Sequence, residues 1–289
     1  MTGEVFAQLF VNGLASGMVY VLIASGLILV LGVARIFNFA HGEFYMLGAY
    51  ATFAFYQALQ LNFFLSVAIA VIVVAAFAGV CYRFAFHYMR GNLLLCAAAS
   101  MGLSMILERG ALLGFGTQER GMPSPFTGTF SLYNVVVPVE KMTVILLCVA
   151  VMCGLYYLLM STKLGKAMRA VKLDTEVAAL QGVNTTKVYA LAMATGCALA
   201  GLAGGIIAPL YSITPGMGHT VLLKSFMVLI VGGLESMVGG VVGGLVIGMT
   251  LSFGYYLVGG LSEILLFGVI GVILVFKPGG LFGEVVEDV

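Results

Sequence analysis

Long uninterrupted runs of apolar residues constrain this chain more than any other feature of its sequence. Hydrophobic residues make up 62% of the 289 residues and charged residues only 9%, whereas a soluble domain has about 25% charged residues. Several runs are long enough to cross the ~30 Å hydrocarbon core of a bilayer as a helix, and none shows the strand alternation of an outer-membrane barrel. The sequence therefore predicts an all-α, polytopic integral membrane protein embedded in a lipid bilayer.

Apolar runs and polar breaks alternate along the chain and predict a single transmembrane domain over residues 1–289. We expect about eight to nine transmembrane helices, some broken or re-entrant, because about 20 residues are needed for one crossing. The expected spans are Phe6–Val33, Phe44–Ala58, Phe63–Tyr82, Leu93–Leu113, Met142–Met160, Val188–Pro209, Val238–Leu257 and Ser262–Phe276. Residues 221–231 are too few to cross alone. Residues 114–141, which contain three prolines, are expected to form a periplasmic loop.

The longest polar segment is Ser161–Lys187, which we call the platform; it holds five of the thirteen Lys and Arg residues. Apolar residues at helical spacing predict a helix over Leu164–Lys172. Asp174 as N-cap and Gly182 just past the end predict a second helix over Thr175–Gln181. Such a segment is either a structured connection between two spans or a docking surface for a soluble partner.

Positive residues indicate the orientation, because the cytosolic loops of membrane proteins are enriched in Lys and Arg. With the platform in the cytosol, nine cations fall on the inner side: Arg35, Arg83, Arg90, the five of the platform and Lys277. Four fall outside or at the outer interface: Arg109, Arg120, Lys141 and Lys224. The distribution favours a cytosolic platform.

Two polar breaks interrupt the apolar sequence. The first contains Asn38, His41, Gly42 and Glu43, and the second contains Gly232, Gly233 and Glu235. Discontinuous membrane helices occur where they line a cavity or are buried in protein, so both breaks are candidates for a translocation path. An interfacial loop without any chemistry explains the first break equally well.

No residue pattern typical of an enzyme is present. The three histidines are far apart and lack the spacing of metal ligands, and the five cysteines form no CxxC pair. Leu164-Gly165-Lys166-Ala167 lacks the upstream glycine and the Ser or Thr of a phosphate-binding loop. We expect no catalytic residue, no cofactor and no bound metal, and the net charge of +1 gives no sign of nucleic-acid binding.

Three blocks of sequence resemble one family of membrane proteins. They are Ile36-Phe-Asn-Phe-Ala-His-Gly-Glu-Phe-Tyr-Met-Leu-Gly-Ala-Tyr50, then Gly165-Lys-Ala-Met-Arg-Ala-Val with Asp174, Ala178 and Gly182-Val-Asn, and Val231-Gly-Gly-Leu-Glu-Ser-Met-Val-Gly-Gly-Val-Val-Gly-Gly244. In this order they resemble blocks of the inner-membrane permeases of branched-chain amino acid ABC transporters. The resemblance reaches across most of the chain and is specific as a set.

The resemblance implies a role for each block. The platform would couple transport to a separate ATPase subunit, through Gly165, Lys166, Arg169, Asp174, Ala178, Gly182 and Val183. The two polar breaks would shape the translocation path of an alternating-access importer in the inner membrane. A periplasmic binding protein would deliver the solute, and a second related permease, or a second copy, would complete the pore.

Two other functions stay open from the residues. A proton- or sodium-coupled secondary transporter would use Glu43, His41 and Glu235 as coupling groups. A passive channel would pass a small neutral solute such as urea. The substrate of an ABC importer also stays open, because importers of urea, short amides and polar amino acids share these blocks.

Overall fold

A computed structural model describes residues 3–126, 128–132 and 135–283. Helices form most of the chain, as the apolar runs predict. In chain order the elements are α1 (Gly3–Ala34), α2 (His41–Phe53), α3 (Phe63–Met89), α4 (Leu93–Phe115), β1 (Thr129–Leu132), β2 (Val135–Pro138), α5 (Val139–Ser161), α6 (Lys163–Leu173), α7 (Thr175–Leu180), α8 (Thr185–Ile207), α9 (Met217–Gly232), α10 (Met237–Val258) and α11 (Ser262–Phe276). The predicted polytopic helical bundle is confirmed, with one short hairpin added.

Among the described residues, six segments are long and apolar enough to cross a membrane. The last of them, Met237–Phe276, contains both α10 and α11, joined by a 3₁₀ turn over Gly259–Leu261. Helix α9 has only 16 residues, which at ~1.5 Å per residue is shorter than the bilayer core. Residues 221–231 thus belong to a helix that is too short to cross alone.

Short polar side chains begin six of the helices in the described part of the chain. Each accepts a hydrogen bond from a backbone N–H of the first turn, which has no partner inside the helix. These N-cap residues are Asn62, Asn92, Thr162, Asp174, Asn184 and Ser236. The polar residues between the apolar runs therefore fix where these helices begin.

The first polar break is shorter than the sequence predicted. His41, Gly42 and Glu43 form the first turn of α2, so only residues 35–40 interrupt the helices. Helix α1 ends in a π-helical turn over Val30–Ala34, and Arg35 then takes a left-handed conformation with φ of 53°. A left-handed residue without a glycine is uncommon and stops the helix there.

The sequence predicted that Arg83, His87 and Arg90 lie in the connection between the third and fourth spans. This prediction is also wrong in part. Arg83 and His87 lie within α3, which continues to Met89 through a π-helical turn over Tyr82–Phe86. Tyr82 and Phe86 are buried in this turn. Their burial keeps the end of α3 helical although the sequence becomes polar there.

The described residues cluster into two compact units. Unit 1 consists of Met1–Ser25, Ser124–Val149 and Leu223–Val289, as far as these are described, and unit 2 of Gly26–Pro123 and Ala150–Leu222. The single domain over residues 1–289 stays a prediction.

Unit 1 is organised around close packing of the first part of α1 against α10. A Cβ atom on Gly17 would lie 3.1 Å from the carbonyl oxygen of Gly244, and Gly248 in turn lies against the backbone of Gly13 and Gly17. Glycines allow helix backbones to approach each other this closely in membrane proteins. The GxxxG patterns of α1 and α10 are therefore one contact seen from both helices.

Unit 2 is organised around α8, which packs against α2 and α3. Gly48 lies directly against the backbone of Gly201, and Gly204 lies against the carbonyl of Tyr45. A side chain at Gly48 or Gly204 would collide with backbone, which cannot move aside as a flexible side chain can, and one at Gly201 would meet the Val74 side chain of α3. The core of unit 2 is thus a layer of helices in near backbone contact.

The expected loop over residues 114–141 contains a two-stranded antiparallel hairpin. Thr129 pairs with Pro138 and Phe130 with Val137. Pro138 stands at the end of the ladder, where a residue without an N–H is tolerated. The periplasmic side of this loop stays a prediction.

Candidate functional site

The platform begins with a fixed corner between α5 and α6. Thr162 caps α6 by accepting a hydrogen bond from Gly165 N at 3.0 Å. Gly165 lies against the carbonyl groups of Leu158 and Leu159, so any Cβ atom there would collide. The Arg169 guanidinium donates to the Leu159 carbonyl from the next turn of α6. Gly165 and Arg169 therefore set the direction in which α6 leaves α5.

The second corner of the platform confirms the predicted caps. The Asp174 carboxylate accepts hydrogen bonds from Glu176 N at 2.8 Å and Val177 N at 3.0 Å. Gly182 has φ of +81°, and its N–H donates to Ala179 O at 2.9 Å. A left-handed glycine after the last turn is the usual end of a helix. Helix α7 is therefore short and bounded on both sides.

The inner face of the platform is anchored to its own unit. Met168, Val171 and Ala178 are buried, and α6 packs against α8 and against the π-helical turn of α1. The Thr175 hydroxyl lies 2.9 Å from the Tyr189 hydroxyl of α8. The platform is therefore a folded part of unit 2 and not a loose loop.

The outer face of the platform carries three exposed apolar side chains. Leu173 and Leu180 are each 85% exposed and Val177 is 53% exposed. Val177 and Leu180 are three residues apart and share one side of α7, and Leu173 is the last residue of α6, just before Asp174. The predicted coupling residues did not include these three. The sequence carries no local signal for them, because only the burial of Ala178 in the folded chain shows which side of α7 faces outward.

The first break is filled by Asn38, which is fully buried. Its amide nitrogen points to two sulfur atoms of α8, Met193 Sδ at 3.9 Å and Cys197 Sγ at 3.7 Å. Its amide oxygen accepts a hydrogen bond from Ala40 N at 3.1 Å. Asn38 therefore holds the chain in its turn between α1 and α2, with weak donors and acceptors on its α8 side.

Helix α4 supplies the hydroxyl groups on the other side of the break. Ser100 Oγ accepts a hydrogen bond from Phe39 N at 2.9 Å and lies 3.2 Å from Phe37 O. One turn further along α4, Ser104 Oγ donates to Glu43 Oε1 at 3.2 Å. The break is therefore bonded to α4 by two serines that are four residues apart on one face of that helix.

Three further predicted residues lie in the first turn of α2. His41 is buried with Nδ1 4.0 Å from Cys197 Sγ. Gly42 lies directly against the backbone of Gly218. Glu43 is 1% exposed, and its Oε2 atom has no hydrogen-bond partner among the described residues. Asn38, His41, Gly42 and Glu43 thus lie together and buried, and their part in a translocation path stays a prediction.

The second break has a different construction. Gly232 lies directly against the backbone of Gly239, which joins α9 and α10 closely, and Gly233 has φ of +105°. Two N–H groups that follow α11 donate to the end of α9: Leu281 N to Val231 O at 2.7 Å and Phe282 N to Gly232 O at 3.1 Å. These bonds satisfy carbonyls that a helix end leaves open.

Glu235, the carboxylate of the second break, is exposed. It belongs to unit 1 with Gly232 and Gly233, whereas the residues of the first break belong to unit 2. The role of the second break in a translocation path stays a prediction. Its two glycines have a clear local task, which is to let backbones meet.

Sequence reasoning also assigned Lys224 only to the outer interface. In the structure it lies in the middle of α9, with its ammonium 5.9 Å from the centre of the Tyr20 ring. An ionisable residue in the middle of an apolar membrane helix is a functional candidate by default. No group of three His, Cys, Asp or Glu residues that could hold a metal occurs among the described residues.

Comparison with known proteins defines the class. The sequence model of the family described as "Branched-chain amino acid transport system / permease component" matches residues 9–276. The chain belongs to this family: it is a multi-pass permease subunit of an ABC importer in the inner membrane. No solved structure matches it.

Individual relatives align with most of this chain. The chain is 32% identical over 295 residues to the high-affinity branched-chain amino acid transport system permease protein BraD of Pseudomonas aeruginosa, covering 96% of each chain. It is 29% identical to the LivH permease protein of Escherichia coli K12, again over 96% of each chain. A probable LivH permease of Methanocaldococcus jannaschii is 29% identical over 248 residues, 82% of this chain and 78% of the relative.

Proposed function

We propose that this chain carries branched-chain amino acids across the inner membrane, with energy from a separate ATPase subunit that binds the platform. Relatives that align over nearly their whole length are named for branched-chain amino acid transport, which supports this substrate class. A binding protein would deliver the solute, and a second permease chain or a second copy would complete the pore.

The exposed apolar face of the platform is the single observation that carries the ATPase contact. Leu173, Val177 and Leu180 stand on a folded, capped segment whose other side is anchored to α8. Apolar anchors on a rigid element, surrounded by polar residues, are typical of a protein interface. The five cations of the platform and its flanks give the rim its polar character.

The predicted coupling residues take two kinds of role in this proposal. Gly165, Arg169, Asp174, Ala178 and Gly182 would give the platform its shape, through the close approach, hydrogen bonds, caps and burial described above. Val183 would do so too, because its N–H donates to Ala178 O at 3.1 Å just after α7. Lys166, which is exposed, would contact the ATPase directly. A docked ATPase subunit would thus move the platform as one rigid element.

Movement of the platform has a short route to the first break. Helix α6 packs against the π-helical turn Val30–Ala34, and four residues after this turn Asn38 begins the bonded set of the break. Single π-helical turns inside α-helices are frequent at functional sites. We expect the closing of the ATPase subunits to shift α6, this turn and the start of α2 together, which gives alternating access.

Uptake into proteoliposomes tests the proposal. The purified complex of permease and co-purifying ATPase is reconstituted with ATP inside, and a leucine-loaded binding protein is added outside. We expect uptake that needs both ATP and the binding protein. Uptake driven by a proton or sodium gradient without ATP would instead indicate the secondary transporter, and equilibration without either would indicate the passive channel.

Variants of the platform locate the coupling in the same assay. The double variant L173S/L180S should lower uptake at least about tenfold, because it removes two apolar anchors from the interface. A loss of about 1.4 kcal/mol of interface free energy already lowers the affinity tenfold. The matched control is L113S, since Leu113 on α4 is 88% exposed and lies outside the platform. Equal uptake by both variants would contradict docking at the platform.

A further inference from the structure

Two carboxyl groups meet between α2 and α4. Glu43 of α2 reaches Ser104 of α4 with Oε1, at 3.2 Å, while Oε2 is buried without a partner. Glu108 lies one helical turn after Ser104, on the same side of α4, and is near enough for its charge to act on Glu43. A buried acid with a second acid beside it is costly unless something compensates the charge.

No compensating cation is present among the described residues. The groups that act on Glu43 are the Ser104 hydroxyl and the Glu108 carboxylate, and Glu43 takes part in no salt bridge there. His41 is the nearest basic residue in sequence, and its ring lies against Cys197 of α8. Glu43 therefore has no positive partner in the described part of the chain, while the Arg120 guanidinium lies on the Tyr50 side, where it donates to Phe115 O at 3.0 Å.

Further groups beside Glu43 bear on ligand binding. A Cβ atom at Gly218 would lie 2.8 Å from Glu43 Oε2, so only a glycine lets the start of α9 approach this buried oxygen so closely. The hydroxyl of Tyr50, two turns further along α2, is also buried and without a partner in the described part of the chain. Both unsatisfied groups lie on α2, and the Tyr50 ring stacks on Phe115 of α4 at 4.2 Å.

We propose that Glu43, Ser104 and Glu108 bind the ammonium group of the amino acid during its passage. An ammonium has three donors and no acceptor; Glu43 Oε2, the Glu108 carboxylate and the Ser104 hydroxyl would each accept from it. Charge-assisted hydrogen bonds of this kind are the strong ones. The inference rests on the proposed function, because it takes an amino acid as the transported solute.

Glu43 and Glu108 also predict which ligands the site prefers. A ligand with an amine and an apolar tail satisfies the two acids, whereas a carboxylate with the same tail would be repelled by them. Isoamylammonium and 4-methylpentanoate, which each keep one of the two charged groups of leucine, separate these cases. Neither needs the binding protein, so binding to the permease can be measured without transport.

Thermal unfolding of the purified permease–ATPase complex measures this binding, because a ligand that binds only the folded state raises its stability. We expect isoamylammonium to raise the unfolding temperature of the wild-type complex and 4-methylpentanoate to leave it unchanged. E43Q should lose the shift, and E108Q should need about tenfold more ligand, which corresponds to about 1.4 kcal/mol. E263Q is the control, since Glu263 is an exposed acid of α11.

The possible outcomes separate binding from structure. A lower unfolding temperature for E43Q with an undiminished isoamylammonium shift would make Glu43 merely structural and overturn the site. A shift of equal size with 4-methylpentanoate would overturn it as well. If E43Q does not assemble, E108Q decides alone, and an unchanged dose response would overturn the site. If the wild-type complex shows no ATP-driven leucine uptake but keeps the amine-specific shift in unfolding temperature, the proposed function is contradicted and the ammonium site is still supported.

Discussion

The breaks at residues 35–40 and 233–236 each have a glycine and a carboxylate in the break or within three residues of it, yet they are closed in different ways. The first is closed by side chains: Asn38 bonds toward α8, and two serines of α4 bond to its backbone and to Glu43. The second is closed by backbone, with the N–H groups of Leu281 and Phe282 on the end of α9.

The difference shows that a glycine and a carboxylate near a helix end do not define a site by themselves. Glu43 is buried, with Ser104 of α4 and Gly218 of α9 against its carboxylate, whereas Glu235 remains exposed. Desolvation, and not the residue type, makes a carboxylate able to discriminate between ligands. We therefore propose that the first break acts chemically in transport and that the second joins helices.

Replacing Glu43 or Glu235 by alanine should show the difference between the two breaks most clearly. We expect E43A to lower ATP-driven uptake about a hundredfold, since hydrogen bonds to charged groups contribute about 1.5–3 kcal/mol. E235A should stay within about twofold, as expected for an exposed side chain. Initial rates of leucine uptake in proteoliposomes measure both. Equal losses would show that the two breaks act in the same way.

A side chain at the glycine of the first break should have the next largest effect. G42V places a side chain against the backbone of Gly218, and we expect a loss of about 1–3 kcal/mol in the free energy of unfolding, as for other overpacked cores. G102V is the matched control, because nothing lies within 4 Å of a Cβ atom at Gly102. Denaturation of the purified chain in detergent measures the difference. Equal stability of the two variants would contradict the close contact.

Removal of one backbone N–H donor at the second break should have the smallest effect. It tests whether this break has only a structural role. L281P deletes the N–H that bonds to Val231 O at 2.7 Å, which should cost about 0.5–1.5 kcal/mol of stability. L281A keeps this N–H and serves as the control. We expect a lower unfolding temperature for L281P than for L281A and similar uptake rates. A large loss of uptake in L281P alone would give the second break a direct part in transport.

Much of the fold followed from the sequence because the signals are local. The helix starts at Asp174 and Ser262 and the end at Gly182 agree with the predicted ones. Capping and apolar length act within a few residues, so they can be read without knowledge of the partners. The family resemblance added the order of the three blocks.

The remaining features depend on distant residues. The sequence does not show that Ser104 lies beside Glu43, 61 residues away, or that residues 281–282 close the end of α9. The helical start of α2 was missed for the same reason, because His41 and Glu43 are polar and only tertiary contacts bury them. The exposure of Leu173 and Leu180 depends likewise on the burial of the opposite face of the platform.

Photocrosslinking in the membrane tests the central claim most directly, namely that energy reaches this chain through the platform. A benzoylphenylalanine is introduced at Leu180 or at Leu113, which have similar exposed fractions of 85% and 88%, and the assembled transporter is irradiated. We predict an adduct with the ATPase subunit from position 180 and none from position 113. No ATPase adduct from position 180, or one from position 113 alone, would contradict the account.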